Sequence, residues 1–521
     1  MGGGLVQLTA VGAQNQLVNG NPDGSFFTTY YKRATNFSME HFQCEFRGND
    51  QNLPLFGTKT IRAKLKRYGD LIHDIYLCVS LPDIYSGVFV DGETALPYEF
   101  QWIPNIGFNM IQEISTIING IAISTYTGEH MKLNAATKET NTRRPLLNEM
   151  VGNVPDMVSP GGDFYPTAIA PAALPSIRGR QLTIPLPFWF CEEIGQSLPL
   201  VALPVAEVEI SVTFTNIYSL FTILDPTVSS SPRPRISGSD TPALSIQNFL
   251  SAPGADAQPL VVQPNWNLAP YLESNFIFLD DDERAYIASK DHVFLLIQPR
   301  SVVVKNEYGY NNFEIPMFNL CTRILAVFSR TDLLNEPDNY VNIQNVPASI
   351  TSGQVDPLKV YTPDILQEAK LTLDGADRFS TKNSLFFRNI QNYKYSTGDT
   401  TQIPGIYQYS FALMPTQATQ PSGSINGSIF NKIRFAHTLS VPPTDPALLA
   451  AAPTVCVLKS TVFNNVPTIV NSNQFSAGET LTLNQPPVIN GMPFKYNGIF
   501  YVESINFLKV TGGLANLLFS T

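Results

Sequence analysis

Residues 207–214 read Glu-Val-Glu-Ile-Ser-Val-Thr-Phe, with Val208, Ile210, Val212 and Phe214 at every second position. A two-residue period puts these four on one face of an extended strand and Glu207, Glu209, Ser211 and Thr213 on the other, which is the pattern of a half-buried β-strand. The same period recurs far away in the chain. Ile75, Leu77, Val79 and Leu81 alternate with Asp74, Tyr76, Cys78 and Ser80, and Tyr407, Tyr409, Phe411 and Leu413 alternate near the other end. Strands therefore run through both halves. Helical periodicity is confined to two short connectors, one near Gly128 to Ala136 and one around Asp282 to Lys290, where acidic residues open the helix.

The chain has 521 residues, too many for one core at about 100 to 250 residues per domain. Its 40 prolines, 33 glycines, 33 phenylalanines and 21 tyrosines suit many short strands joined by turns. Charged residues make up 15%, against about 25% in ordinary globular domains, so neither disorder nor long solvated helices fit. The reading is all-β, with two strand-rich halves meeting near Asp280 to Lys290. Two stretches resist strand assignment and read as large excursions from the first half: Asn141 to Arg178, and Asp225 to Pro264 with its Ser-Ser-Ser-Pro-Arg-Pro-Arg run.

Several function classes lose support. A net charge of −10 argues against a protein that coats nucleic acid. No apolar run reaches the roughly 20 residues of a membrane-spanning helix. The opening Met1-Gly-Gly-Gly-Leu-Val does not read as a secretory signal, so the expected compartment is the cytosol. Cys44, Cys78, Cys191, Cys321 and Cys456 lack zinc or redox spacing and read as buried thiols. His41, His73, His130, His292 and His437 are scattered and read as core or surface histidines. Nucleophile-elbow, phosphate-loop and dinucleotide motifs are missing.

Asp280-Asp281-Asp282-Glu283 has the oxygen donors of a hard-cation site but not the spaced ligands and glycine of a calcium loop, and its place before Arg284 suits helix capping better. Lys59 to Arg67 reads as a strand with Arg62, Lys64 and Lys66 on one face and Ile61, Ala63 and Leu65 on the other. Such a face guards a sheet edge, or meets an acidic neighbour or lipid headgroups. The sequons at Asn36 and Asn426 are not expected to carry lumenal glycans.

The run Gly3-Gly-Leu-Val-Gln-Leu-Thr-Ala-Val-Gly-Ala-Gln14, then Phe26-Phe-Thr-Thr-Tyr-Tyr-Lys-Arg-Ala-Thr-Asn-Phe-Ser-Met-Glu40, closely resembles the opening of the major capsid proteins of nucleocytoplasmic large DNA viruses. Arg67-Tyr-Gly-Asp70, Leu186-Pro-Phe-Trp-Phe190, Ile277 to Arg284, Leu373-Asp-Gly-Ala-Asp-Arg-Phe379, Gly405 to Leu413, Gln420-Pro-Ser-Gly-Ser424 and Gly512-Gly-Leu-Ala515 follow in that family's order. Ser424-Ile-Asn426 departs from the family's usual Thr-Cys-Asn.

The resemblance implies two consecutive eight-stranded antiparallel jelly rolls with long loop insertions and a few short helices. It implies an N-terminal arm over 1–24, a first roll over 25–280 with insertions near 141–178 and 225–264, a linker over 281–290 and a second roll over 291–521. The implied role is structural: a homotrimer forming a pseudo-hexagonal capsomer that tiles an icosahedral shell, with no catalytic residue, cofactor or metal. Implied partners are further copies, minor capsid and penton proteins and an internal viral membrane, without sequence-specific nucleic-acid binding. The implied location is the virion, assembled in host cytoplasm. The arm is expected to order against the capsid underside or a neighbour, and the insertions to lie on an outer, tower-like face or at subunit seams. Asn36, Asp374 and Arg378 are expected to fix turns and contacts, with Arg378 in a local ion pair. Competing readings are a single-roll penton protein, which the length disfavours; a carbohydrate-binding sandwich, disfavoured by only three tryptophans (Trp102, Trp189, Trp266); and a hydrolase using paired carboxylates distant in sequence.

Overall fold

The alternating segments pair into two sandwiches. The computed structural model of the chain describes residues 2–29, 31–48, 52–54, 57–91, 94–160, 165, 174–224, 235–238, 244–252, 266–332, 340, 364–417, 419–442, 460–463, 466–469 and 494–519. The first sandwich contains β1 (Phe37–Glu45), β2 (Lys59–Lys64), β3 (Leu71–Leu81), β4 (Ile111–Ile118), β5 (Ile121–Tyr126), β6 (Arg180–Pro185), β7 (Val208–Phe214) and β8 (Tyr271–Leu279). They form two antiparallel sheets in the orders β1-β8-β3-β6 and β2-β7-β4-β5. Val208, Ile210, Val212 and Phe214 all face the core, as their period requires.

The second sandwich contains β9 (His292–Glu307), β10 (Tyr310–Glu314), β11 (Leu320–Arg330), β12 (Leu366–Leu373), β13 (broken into Ala376–Asp377 and Lys382–Asn383), β14 (Tyr407–Ser410), β15 (Ile433–Leu439) and β16 (Tyr496–Thr511). Its sheets run β9-β16-β11-β14 and β10-β15-β12-β13, which is the first pair of sheets with every number raised by eight. Both units are jelly rolls.

The repetition extends to local detail. The β3–β8 ladder slips between Ser274 and Phe276, and the β11–β16 ladder slips at the matching place, between Cys321 and Arg323. Leu198–Pro199 pairs with the first two residues of β3, and Ile425–Asn426 pairs with the first two of β11. Asn119 and Gly120, with φ of 51° and 79°, form the two-residue turn between β4 and β5, while Asp374 and Gly375, at 46° and 89°, form its counterpart between β12 and β13. Positive φ at both turn positions matches the strand twist and favours Asn-Gly and Asp-Gly sequences.

Register puts the long β3–β4, β5–β6 and β7–β8 connections at one end of the first roll. There Glu99–Trp102 pairs with Phe221–Leu224, and Phe100 stacks on Phe221 at 4.8 Å between centroids. This small sheet has no clear alternation in the sequence. Asn141 to Arg178 is not simply an outlying loop: it contains helix Arg144–Val151, whose Leu147 and Val151 are buried in the first core. Most of Asp225 to Pro264 lies outside the described residues. The alternation through Leu413 ends early, because the strand stops at Ser410 and Leu413 is 71% exposed.

The two rolls share apolar cores. Leu296, Leu508, Val510 and Ala515 of the second roll join the first roll's cluster. A separate cluster combines Leu133 and Ala136 with Leu325, Val327, Ile403 and Tyr501. Burial on both sides of the junction at about 25 cal/mol per Å² of apolar area favours one fixed arrangement over independent domains.

Candidate functional site: the seam between the two rolls

Helix Gly128–Lys138 starts two residues after β5 and lies between the rolls. Thr127 caps it by accepting from the His130 amide at 3.2 Å. Gly128 permits close approach to the first roll, since a Cβ there would sit 2.0 Å from the Phe108 carbonyl oxygen. At the other end, the Thr397 and Gly398 amides of the second roll donate to the Thr137 carbonyl at 3.0 and 2.8 Å. The second roll thus caps a helix of the first, and a Cβ on Gly398 would meet the Ala136 carbonyl oxygen at 2.5 Å.

Between these ends lies a buried ionic cluster. Arg323 on β11 donates from Nε and Nη2 to the two oxygens of Glu503 on β16, at 2.6 and 2.8 Å. The remaining Arg323 donors reach Thr137 Oγ1 at 3.1 Å and Asn134 Oδ1 at 2.8 Å on the helix. His130 Nε2 donates to Glu503 Oε1 at 2.9 Å. The Arg323 and Glu503 side chains are 1% and 2% exposed. Burial alone would raise the Glu503 carboxyl, but Arg323 and then His130 outweigh it and hold the group at about 2. Burial also lowers the Lys138 ammonium to about 8, and Lys138 is paired with Glu192.

More hydrogen bonds cross the seam: Tyr126 OH to the Ile297 carbonyl at 2.9 Å, Gln298 Nε2 to the Ile123 carbonyl at 2.6 Å, and Thr127 with Tyr501 at 2.9 Å. The cavity here, lined by Tyr126, His130, Trp189, Arg323 and Glu503, holds about 30 Å³. That volume suits about one water molecule and falls far below the several hundred Å³ of a substrate pocket. The arrangement fixes one roll against the other; it does not present a reactive group to a ligand.

A second lock closes the linker. Asp280 caps helix Asp281–Ser289 by accepting from the Glu283 amide at 3.0 Å, as the capping reading requires. Arg284 donates to both oxygens of Asp70 at 2.8 and 3.1 Å, and the Leu279 amide donates to Asp70 at 2.9 Å. Burial opposes ionisation of Asp70, yet Arg284 and the Leu279 amide keep its carboxyl below the ordinary range. Nearby, Arg67 binds the Pro204 and Ala206 carbonyls at 2.5 and 2.8 Å. Two motifs far apart in sequence, Arg67-Tyr-Gly-Asp70 and Ile277 to Arg284, therefore meet at the linker.

The other sequence candidates are dispersed. His73 donates to the Phe190 carbonyl, His292 to the Ile287 carbonyl, and His437 pairs with Glu307 amid Phe313, Phe328, Phe435 and Phe500. Cys44, Cys78 and Cys321 are buried free thiols, and Cys191 is partly covered; Cys456 lies outside the described residues. Among the described residues, no three His, Cys, Asp or Glu side chains gather to hold a metal ion. Trp102, Trp189 and Trp266 are buried, so none is a sugar-stacking platform. In the basic strand, Ile61, Ala63 and Leu65 are buried while Arg62 and Lys66 are exposed, and β2 is an edge strand whose Lys64 pairs with Glu207. Asn36 is exposed, and Asn426 caps a short turn by accepting from Ser428. Asp374 fixes its turn by accepting from the Lys432 amide at 2.7 Å. The expected ion pair of Arg378 is not formed among the described residues: Lys370 pairs with Asp377 at 3.2 Å instead, and Arg378 contributes its main-chain amide to Leu371.

Arg323 and Glu503 were not singled out from sequence. The signal was present: each is a lone charge inside a run that otherwise reads as a buried strand, Leu320 to Phe328 and Ile499 to Ile505, and a charge there needs a partner.

Comparison with known proteins agrees with this architecture. Residues 25–250 match the family described as major capsid protein N-terminus, and residues 283–464 match the large eukaryotic DNA virus major capsid protein family. The chain is 27% identical over 545 residues to the major capsid protein of Paramecium bursaria Chlorella virus 1, covering all of both chains. It is 27% identical over 510 residues to probable capsid protein 4 of Acanthamoeba polyphaga mimivirus, covering 84% of this chain and 93% of that one. Among solved structures, the PBCV-1 virus capsid superposes with a TM-score of 0.62 at 21% identity over 95% of this chain and 100% of that one. The Faustovirus major capsid protein gives 0.62 at 11% identity, covering 94% and 93%. These likenesses establish the double jelly-roll fold.

Proposed function

The chain belongs to the major capsid proteins of large eukaryotic DNA viruses, and from that membership we propose that three copies associate into a pseudo-hexagonal capsomer that tiles an icosahedral shell. It is a structural virion component and not an enzyme, in keeping with its relatives. The observation that carries the capsomer is the internal duplication: two rolls with the same strand order, ladder slip and turns give each chain two near-equivalent positions. Three chains then supply a ring of pseudo-sixfold shape with only one kind of subunit. The seam serves this role by holding the two rolls at one angle, which a tile needs to match its neighbours.

Within this proposal the chain divides into an arm over 1–24, a first roll over 25–280, a linker over 281–290 and a second roll over 291–521. Two short helices in the arm, Gly3–Thr9 and Ala13–Asn19, have no buried residue, and Leu8 and Leu17 are 75% and 91% exposed. Such bare apolar side chains favour an arm that orders against the capsid underside or a neighbour. The end bearing the long loops of the first roll faces outward. Minor capsid and penton proteins and an internal membrane are the further partners, and assembly takes place in host cytoplasm.

Light scattering after size exclusion tests the proposal. The expected result is a species of three 57.5 kDa chains with a hexagonal outline in negative stain. A monodisperse single chain with no hexagonal outline overturns it.

A further inference from the structure

The duplication also identifies how one chain would grip the next; this inference rests on the capsomer reading and deepens it. Within the chain, the helix that follows β5 docks on the outward face of the β9-β16-β11-β14 sheet, where Arg323, Leu325, Tyr501 and Glu503 receive it. The second roll carries a helix in the corresponding place: residues 384–395 are helical and begin directly after Lys382–Asn383 of β13. Its inner side is anchored by Phe387, Gln391 and Asn392, which are buried. Its outer side carries Leu385, Ile390 and Tyr393, which are 46%, 56% and 93% exposed. Their spacing places these three on one side of a helix, the pattern of a surface that expects a partner.

The first roll has the matching face. The ladder slips align β3 with β11 and β8 with β16, so the positions of Arg323, Leu325, Tyr501 and Glu503 are held by Asp74, Tyr76, Glu273 and Asn275. Asn275 Oδ1 is buried with no hydrogen-bond partner among the described residues, at the position where Glu503 accepts from His130. Glu45, Asp74 and Glu273 make this face acidic, with Glu45 exposed. The helical segment and its approach contain Lys382 and Lys394, with Arg388 turned inward to Asp364 at 3.2 Å, and no acidic residue between Phe379 and Gly398.

We propose that helix 384–395 docks, through Leu385, Ile390 and Tyr393, on the outward β1-β8-β3-β6 face of another copy of this chain, repeating between chains the contact that helix Gly128–Lys138 makes within one. The contact is heterologous, a helix of one copy against a sheet of the next, and repeats around a ring until the ring closes. Across it Lys382 and Lys394 oppose Glu45, Asp74 and Glu273.

Two full-length variants test it by light scattering: Ile390→Asp with Tyr393→Asp on the helix, and Glu45→Arg with Glu273→Arg on the face. Each is expected to run as a single chain with an unchanged far-ultraviolet circular dichroism spectrum, while the unaltered chain runs as three. A one-to-one mixture of the variants is expected to give a two-chain species, because one intact helix then meets one intact face. Variants that remain trimeric overturn this contact and leave the capsomer intact. A mixture that stays single-chain overturns the helix-to-face pairing. An unaltered chain that never trimerises removes the capsomer itself.

Discussion

Replacing Arg323 by Met leaves the buried Glu503 carboxylate with the His130 Nε2 hydrogen bond as its remaining side-chain contact. Removing one member of a buried ion pair costs about 3 to 5 kcal/mol, because the surviving charge has no solvent. The depression of the Glu503 carboxyl, to which Arg323 and His130 both contribute against the cost of burial, gives a second order-of-magnitude figure. A carboxyl ordinarily near 4.5 is held at about 2, and at about 1.4 kcal/mol per pH unit that difference is worth about 3 kcal/mol. Because the folded value is depressed, this stabilisation is fully present above pH 4.5 and is lost as pH falls from there through about 2. At about 2.1 cal/mol/K per residue, the 521-residue chain melting as a unit has an unfolding entropy of about 1 kcal/mol/K, so the substitution lowers the midpoint by about 3 °C. Calorimetry at pH 7 and along a series down to pH 2.5 measures both quantities. Arg323→Met is expected to melt earlier at neutral pH and to show a shallower acid slope than the unaltered chain. Equal midpoints, or an unchanged slope, refute the assignment of the seam to this pair. The double replacement Arg323→Met with Glu503→Leu is expected to cost less than Arg323→Met alone, since no unpaired charge remains.

Other perturbations probe the rest of the account. Gly398→Val drives a side chain into the Ala136 carbonyl and strips the Gly128–Lys138 helix of its cap from the second roll; a loss of about 2 kcal/mol or more is expected, read as a lower melting temperature. Arg284→Ala releases Asp70 from the linker helix, and because Arg284 is 42% exposed the loss of stability is expected to be small; limited proteolysis is expected to cut more rapidly within 281–290. Burial raises the Cys44, Cys78 and Cys191 thiols and pushes Cys321 up to about 12. At pH 8 these four are therefore expected to resist a thiol reagent in the folded protein and to react on denaturation, and rapid native labelling of them would contradict the packing.

The elements legible in the sequence are those set by local chemistry. The alternation at Val208 to Phe214 needs only the pleat of a strand, the cap at Asp280 needs only its distance from Glu283, and the Asp374-Gly375 turn needs only positive φ. What stayed hidden depends on partners far along the chain. Glu503 lies 180 residues from Arg323 and 373 from His130, so no local pattern joins them. Glu99–Trp102 becomes a strand because Phe221–Leu224 lies beside it. Helix Arg144–Val151 sits in a proline-rich stretch whose composition reads as loop, with a proline in its first turn where a missing amide costs nothing. Arg378 shows the converse: the Asp374-Gly375 turn forms as its residues require, but the side chain beside Asp377 is Lys370.

Electron cryomicroscopy of the purified assembly tests the central claim most directly, because it counts rolls per capsomer and traces which belong to one chain. The account predicts six upright jelly rolls in a ring with threefold symmetry, linked in pairs by Asp281–Ser289 and held within each pair by Arg323 and Glu503. A ring with any other number of rolls, or paired rolls at variable angles within a chain, would contradict it.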